Sequence, residues 1–130
     1  MAGPSETKRE IIEVHTDEKI YQIVSALEKP HALTCLLIAH YRKKLPKKDR
    51  GYSWSFTKSF LAEMNDQLAT DRQISVADGT YRARMIELQD LGLVDSERID
   101  PLKKDYTTTD IGDKVSENLL TWLYSIKSLF

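Results

Sequence analysis

The stretch from Ile74 to Val94 combines one apolar face with small and basic side chains on the others. Tyr81, Met85 and Leu88 recur at i, i+4 and i+7, which predicts a helix over 76–91 with these three residues on its buried side. The candidate contact residues outside that face are Thr80, Arg82, Ala83 and Arg84. A guanidinium can bond guanine bidentately, and a threonine near a helix start can take a phosphate or a thymine methyl. The pattern suits insertion into a DNA major groove, although an ordinary packed helix has the same periodicity.

Basic residues elsewhere in the chain are candidates for phosphate contacts. The segment RKKLPKKDR, 42–50, sets six basic residues against one acid, and its Pro46 predicts a loop. A solvated turn and a phosphate-facing patch are equally compatible with this composition. Arg84 suits either a flanking phosphate contact or a salt bridge to the preceding helix. The remaining phosphate candidates are Lys43, Lys44, Lys47, Lys48, Arg50, Arg72, Lys103 and Lys104.

The elements that must position these side chains are mostly helices, with one predicted hairpin. Residues 1–14 are polar and predict a flexible tail, after which Thr16 is a plausible N-cap. Gly92 occupies the position where a helix end needs a left-handed residue. The further predictions are a helix beginning behind Thr16, a second one reaching Lys44, a third over 56–69, the link ATDRQIS, strands over 94–99 and 104–109, and a last helix over 111–129.

The last predicted helix carries a wide apolar stripe. Its seam residues are spaced 4, 3, 4 and 3, the step of a coiled coil, and are Val115, Leu119, Trp122, Ile126 and Leu129, with Leu123 beside them. Such a stripe can pack on the chain's own first helices, on a partner, or on both. The sequence therefore favours a homodimer, whose twofold symmetry would match a palindromic site.

Composition excludes several classes of protein. A net charge of −1 in 130 residues argues against a protein that coats DNA through bulk charge. The single cysteine, Cys35, excludes an internal disulfide, and the polar start of the chain does not predict a secretion signal, so a cytoplasmic location is expected. His31 and Cys35 are spaced i, i+4 but lack a third ligand, so no metal or other cofactor is expected. The chain also lacks nucleophile-elbow, zinc-protease and paired-cysteine motifs, which predicts a protein that is not an enzyme.

Three features resemble the winged helix-turn-helix DNA-binding family. They are the Tyr81, Met85 and Leu88 face, the phrase IELQDLGLVDSER (86–98), and the hairpin that ends in YTTTDIG (106–112). The Thr-x-x-Gly opening of the last helix is similar to the multiple-antibiotic-resistance and phenolic-acid regulator types. The leucine-rich SALEKPHALTCLLIAHY is similar to the C-terminal winged helix of archaeal origin-recognition initiators, but the chain has no phosphate-binding loop for their ATPase activity. The predicted wing also departs from the pattern, since its three acids and three bases balance.

The resemblance implies a mainly α fold with a small β-hairpin wing. It places a winged-helix domain at 15–110 and a C-terminal helix, expected to be a dimerisation element, at 111–130. The implied function is sequence-specific binding of double-stranded DNA by a transcriptional regulator, with 76–91 as recognition helix and a DNA-associated cytoplasmic location. The alternative is a winged-helix interaction subunit of a DNA replication or other nucleic-acid complex. No residue pattern identifies a small-molecule effector.

Overall fold

A computed structural model describes residues 3–130 and shows a mainly helical chain with one two-stranded antiparallel hairpin. A 3-10 turn, Thr70–Arg72, lies between the fifth and sixth helices. No helix within 3–130 is both long enough and apolar enough to cross a membrane. The elements in chain order are α1 (Pro4–Thr16), α2 (Glu18–Leu27), α3 (Ala32–Lys44), α4 (Lys47–Arg50), α5 (Ser53–Asp66), α6 (Asp78–Asp90), β1 (Val94–Asp100), β2 (Lys103–Thr108) and α7 (Asp110–Lys127).

The core forms where α3 meets α6 and the inner end of the hairpin. Tyr81, Met85 and Leu88 of α6 are all buried, which confirms the face predicted from their spacing. They join one cluster whose other members are Cys35, Leu36 and Ala39 of α3, Leu93 and Val94 at the start of β1, and Tyr106 of β2. Because α3 also packs against α5 and α7, it is the central helix of the fold.

The hairpin follows α6 directly, as predicted. Gly92 has a φ of 78°, the left-handed conformation expected after the helix end. β1 and β2 pair from Val94 opposite Thr108 to Arg98 opposite Lys104, with an irregularity between Arg98 and Asp100. The inner end of the hairpin is buried, whereas its outer end is exposed.

The start of α7 is fixed by Thr109 and Gly112. The Thr109 hydroxyl accepts from the Gly112 amide at 3.1 Å and donates to the Gly92 carbonyl at 2.6 Å, so it caps α7 and ties it to the end of α6. A Cβ at position 112 would overlap the Leu93 carbonyl oxygen. Only glycine therefore permits α7 to approach β1 this closely.

The beginning of the chain differs from the prediction. Residues 1–14 were expected to form a flexible tail, but 4–16 are helical; Met1 and Ala2 lie outside the described residues. Pro4 stands in the first turn, Glu6 follows it, and Arg9 and Glu13 are placed for an i, i+4 contact, all of which favour a helix. The cap of α2 is Asp17, whose side chain accepts from the Ile20 amide, and not Thr16.

Candidate nucleic-acid interface

A cleft of about 430 Å³ lies between α6, the hairpin and the start of α5. Aromatic rings of Trp54, Tyr81 and Tyr106 contribute to its lining. Trp54 stacks on Tyr81 with ring centroids 4.7 Å apart, and Tyr106 meets Tyr81 edge-on at 6.1 Å. Since Tyr81 and Tyr106 belong to the buried core, that side of the cleft is rigidly placed.

Arg82 projects from α6 into this cleft and is exposed. Its Nε and Nη2 atoms both donate to the carboxylate of Asp78, one turn earlier. The hydrogen bond from Arg82 lowers the pKa of Asp78, so the carboxylate stays charged. A guanidinium has five N–H donors, and this pairing uses two of them. The remaining Nη1 and Nη2 donors can still make a bidentate contact on the side facing away from Asp78.

The hairpin supplies the other charges of the cleft. Lys103 places its ammonium 5.4 Å from the ring centre of Tyr52, and Arg98 donates to the carbonyl of Pro101 at 2.9 Å. With Lys104 and Arg82, these residues give the cleft lining four cations, against the single carboxylate of Asp78. The balanced charge counted along the wing sequence is therefore not the charge that this cleft presents, because Asp95, Glu97 and Asp100 do not line it.

The start of α5 and the middle of β2 are joined by a buried guanidinium. Arg42 is 4% exposed and donates from Nη2 to both carboxylate oxygens of Asp105, at 2.9 and 3.0 Å. It also donates to the carbonyls of Tyr106 and Gly51. Asp105 in turn accepts from the Ser53 amide at 2.9 Å. This network holds Tyr52 and Trp54, which flank Ser53, against the hairpin.

The structure divides the basic segment 42–50 into two groups. Half of its basic side chains bond within the chain: Arg42 as described, Lys43 paired with Asp113 at 2.6 Å, and Arg50 donating to the carbonyls of Lys43 and Leu45. Lys44, Lys47 and Lys48 are exposed and make no salt bridge with any residue from 3 to 130. The segment is also not a simple loop, since α3 continues to Lys44 and α4 occupies Lys47–Arg50. Lys43 and Arg50 are thus paired within the chain, and the phosphate contacts predicted for this segment stay a prediction.

A second polar network ties α7 to α3 and β2 through Asp113. Its carboxylate accepts from Lys43, from the Thr108 hydroxyl at 2.6 Å and from His40 Nδ1 at 2.9 Å. Burial opposes ionisation of Asp113, but these hydrogen bonds outweigh it and hold its pKa below the ordinary value. The ionised carboxylate therefore stabilises the packing of α7.

The other residues predicted on α6 do not share the cleft with Arg82. Arg84 donates to the Pro30 carbonyl at 3.0 Å and to both oxygens of Glu87, so its guanidinium is hydrogen-bonded within the chain. The predicted salt bridge to the preceding helix does not form. Thr80 lies roughly 160° around the helix from Arg82, and Ala83 is on the outer face between them. Both are partly exposed. Arg72, in the 3-10 turn before α6, is exposed and away from the cleft lining.

The predicted dimer residues of α7 fall into three groups. Val115 and Leu119 pack against the core of their own chain. Leu123 and Ile126 are half-buried, whereas Trp122 and Leu129 are largely exposed.

Sequence reasoning did not identify several residues of the cleft. Tyr52, Trp54 and Arg98 line the cleft, but none of them is among the residues predicted from the sequence. The alternation GYSWS was the available signal, since it spaces two rings around a serine that starts a helix. Their convergence with α6 depends on long-range packing that no local pattern reveals.

Comparison with protein-family models, curated protein sequences and solved structures finds no match to this chain. Within residues 3–130, no cluster of three or more histidine, cysteine or acidic side chains is placed to hold a metal ion.

Proposed function

We propose that this chain is a winged-helix protein that binds double-stranded DNA in a sequence-specific manner and regulates transcription. In this proposal α5 and α6 are the helix-turn-helix pair, α6 enters the major groove, and the hairpin is the wing. The order of α5, the polar link, α6 and the hairpin supports it.

The proposal rests mainly on the exposure and the orientation of the Arg82 side chain. It is exposed on α6, held on one edge by Asp78, and retains donors suited to the O6 and N7 atoms of guanine. An arginine oriented in advance loses less conformational entropy when it binds a base. Lys103, Lys104 and Arg98 lie across the cleft, where their charge would attract phosphates on the adjacent backbone.

The remaining exposed bases would contribute to affinity without reading sequence. Lys44, Lys47 and Lys48 stand near the start of α5, and Arg72 precedes α6. Counterion release by such residues makes binding depend strongly on salt. Thr80 and Ala83 would border the groove on the side of α6 away from the wing.

The test begins with a binding selection against random DNA, followed by affinity measurements on the selected site and on random sequence. Arg82→Ala should reduce the preference for the selected site by about 1–3 kcal/mol. Lys103→Gln should weaken binding to both DNAs about equally, because a phosphate contact carries no sequence information.

Lys114→Gln is the matched control, since Lys114 is exposed on α7 and lies outside the cleft. If Arg82→Ala weakens selected and random DNA equally, Arg82 is a phosphate contact and not a base reader. If the protein binds no DNA even at low salt, the proposal is wrong.

One observation favours a second candidate, a winged-helix interaction subunit of a nucleic-acid complex. Leu102 at the hairpin tip is 92% exposed, and Ile86 of α6 is about half exposed; both line the cleft. Apolar side chains at such positions suit a protein surface as well as a thymine methyl. A salt titration separates the two candidates, because phosphate binding weakens steeply with salt and apolar docking does not.

A further inference from the structure

The cleft beside α6 contains two tyrosines that a contact with duplex DNA does not use. Tyr52 and Tyr106 both line it. Bases within a duplex present only their edges to a protein, because their faces are stacked on one another. The cations of the cleft suit the phosphates of a duplex, but the ring of Tyr52 and the hydroxyl of Tyr106 are then left without a role. These two side chains therefore indicate a further ligand chemistry.

One face of the Tyr52 ring is covered by a lysine. The ammonium of Lys103 lies 5.4 Å from the ring centre, and Lys103 is itself exposed at the hairpin. Because the lysine side chain is flexible, it can leave this face without any change in the backbone. A planar base can then stack on Tyr52, and such stacking improves affinity by roughly tenfold or more for each base.

The Tyr106 side chain brings a hydrogen-bonding group to the cleft. The residue is 3% exposed, and its ring belongs to the core cluster. Within residues 3–130 its backbone N–H and carbonyl are hydrogen-bonded, but its hydroxyl is not. That hydroxyl is not sealed in the core, because in the same range the only buried side-chain polar atom without a partner is His40 Nε2. It is therefore the accessible end of a fixed ring and can bond a ligand.

The charge of the cleft suits a chain of phosphates. Its lining carries four cations against one carboxylate, a net charge of +3. A ligand with a single carboxylate would leave most of this charge unbalanced, whereas a di- or triphosphate balances it. Burial raises the pKa of Tyr52 and Tyr106, and the charge of Arg82 opposes the rise, so Arg82 lies near both hydroxyls. The phosphate-binding side of the cleft is thus next to its aromatic side.

We propose that the cleft binds one unpaired nucleotide, with its base stacked on Tyr52 and its phosphates on the cations of α6 and the hairpin. The Tyr106 hydroxyl bonds the sugar or the edge of the base. The cleft volume of about 430 Å³ is that of a small-molecule site. The nucleotide is either free, as a nucleoside di- or triphosphate, or part of an unstacked single strand, since both present the same chemistry.

A nucleotide in the cleft would exclude duplex DNA from it. The phosphates of the nucleotide need Lys103, Lys104 and Arg82, which the proposed duplex contact also uses. Each ligand therefore weakens the binding of the other by the same factor. This exclusion rests on the proposed function, whereas the nucleotide site does not.

The first experiment measures the binding of ATP by isothermal titration calorimetry, without DNA. EDTA is present so that no divalent cation neutralises the phosphates. Inorganic tripolyphosphate provides the phosphates without the base, and adenosine provides the base without the phosphates. ATP should bind at least about tenfold more tightly than either compound. Equal affinity for ATP and either of them would overturn the proposal, because the base or the phosphates would then contribute nothing.

Variants of the two tyrosines locate the site. Tyr52→Leu should weaken ATP about tenfold and leave tripolyphosphate unchanged, whereas Tyr52→Phe keeps the ring and should bind ATP as wild type does. Tyr106→Phe, which keeps the core intact, should weaken ATP roughly 2- to 10-fold through the loss of one hydrogen bond. Tyr124→Leu is the matched control, because Tyr124 also has a lysine over its ring, Lys127 at 6.0 Å, but lies outside the cleft. If Tyr52→Leu and Tyr106→Phe bind ATP as this control does, the proposal is wrong.

A competition experiment distinguishes the two sources of the nucleotide. Oligothymidylate, a single strand that does not pair with itself, is titrated against wild type and Tyr52→Leu. If it binds wild type more tightly than ATP does and loses this advantage in Tyr52→Leu, the site belongs to an unpaired strand. If its binding does not depend on Tyr52 while that of ATP does, the site belongs to a free nucleotide.

The same titrations separate this inference from the proposed function. ATP should displace duplex DNA from the wild type, and Tyr52→Leu should need about tenfold more ATP for the same displacement. Binding of ATP without any binding of duplex DNA would support the nucleotide site and contradict the proposed function. Binding of duplex DNA with no preference for ATP over tripolyphosphate would contradict the nucleotide site alone.

Discussion

The segment 42–50 and the cleft beside α6 are both rich in basic residues, but the structure uses their charges differently. Arg42, Lys43 and Arg50 bond to carboxylates and carbonyls of their own chain. In the cleft, Lys103 and Lys104 make no salt bridge with any residue from 3 to 130, and Arg82 keeps donors beyond its pairing with Asp78. Density of basic residues therefore does not indicate a binding surface. What matters is whether each cation already has partners, and four variants separate the two cases.

The largest effect should come from Arg42→Met. This change leaves Asp105, a partly buried carboxylate, without its buried guanidinium partner, and breaking a buried ion pair costs about 3–5 kcal/mol. The free energy of unfolding from urea denaturation measures the loss. A double variant, Arg42→Met with Asp105→Leu, should recover much of it because both charges are then gone. A loss below about 1 kcal/mol for the single variant would show that the buried pair is not structural.

Asp113→Asn should have the next largest effect, about 1–3 kcal/mol at neutral pH, because Lys43 loses its carboxylate. Since the pKa of Asp113 is lowered on folding, its contribution is present above the ordinary value of 3.8 and disappears as pH falls through the lower folded value. The difference in stability between wild type and variant should therefore shrink in acid. Thermal unfolding from pH 7 to pH 2 tests this, and a constant difference over that range would contradict the assignment.

On the side of the cleft, replacing Lys103 and Lys104 by glutamine should leave stability within about 0.5 kcal/mol of wild type. If both lysines contact phosphates, the slope of log affinity against log salt should become shallower by about 1.8. Filter binding or fluorescence anisotropy at several salt concentrations measures the slope. An unchanged salt slope would show that the hairpin is not part of the binding surface.

The smallest effect is expected for Lys47→Gln combined with Lys48→Gln. Both lysines are exposed in α4, so stability should again change by no more than about 0.5 kcal/mol. The salt slope should change less than for the hairpin pair, because these lysines lie outside the cleft. A change in salt slope equal to or larger than that of the hairpin pair would show that the binding surface includes the 42–50 segment.

Periodicity was sufficient to predict most of the fold. The spacing of Tyr81, Met85 and Leu88 identified both a helix and its buried face, and Gly92 identified where that helix ends and the hairpin begins. These features are local, so they can be inferred from neighbours in the sequence. Helix α1 was missed because the segment is mostly polar and buries none of its residues, although Pro4 and Glu6 favour a helix start.

The candidate site was only partly predictable. Arg82 was identified because helical geometry alone places it outside the buried face. The pairing of Arg42 within the chain was not predicted, because its partner Asp105 lies 63 residues away. A charged segment has the same sequence pattern whether its cations are solvated or buried. Arg84 was ambiguous for the same reason: its acceptor on Pro30 belongs to another part of the chain.

The guanidinium of Arg42 also has a mechanical consequence. It bonds to β2 at Asp105 and Tyr106, in the middle of the strand, whereas the ladder is irregular between Arg98 and Asp100, close to the tip. We therefore expect the hairpin to open from its tip at Leu102 and to stay paired at Asp105 and Tyr106. The cleft can then widen or narrow at its mouth while its aromatic side stays in place. Amide hydrogen exchange should follow this gradient, slow at Tyr106 and fast at Lys103.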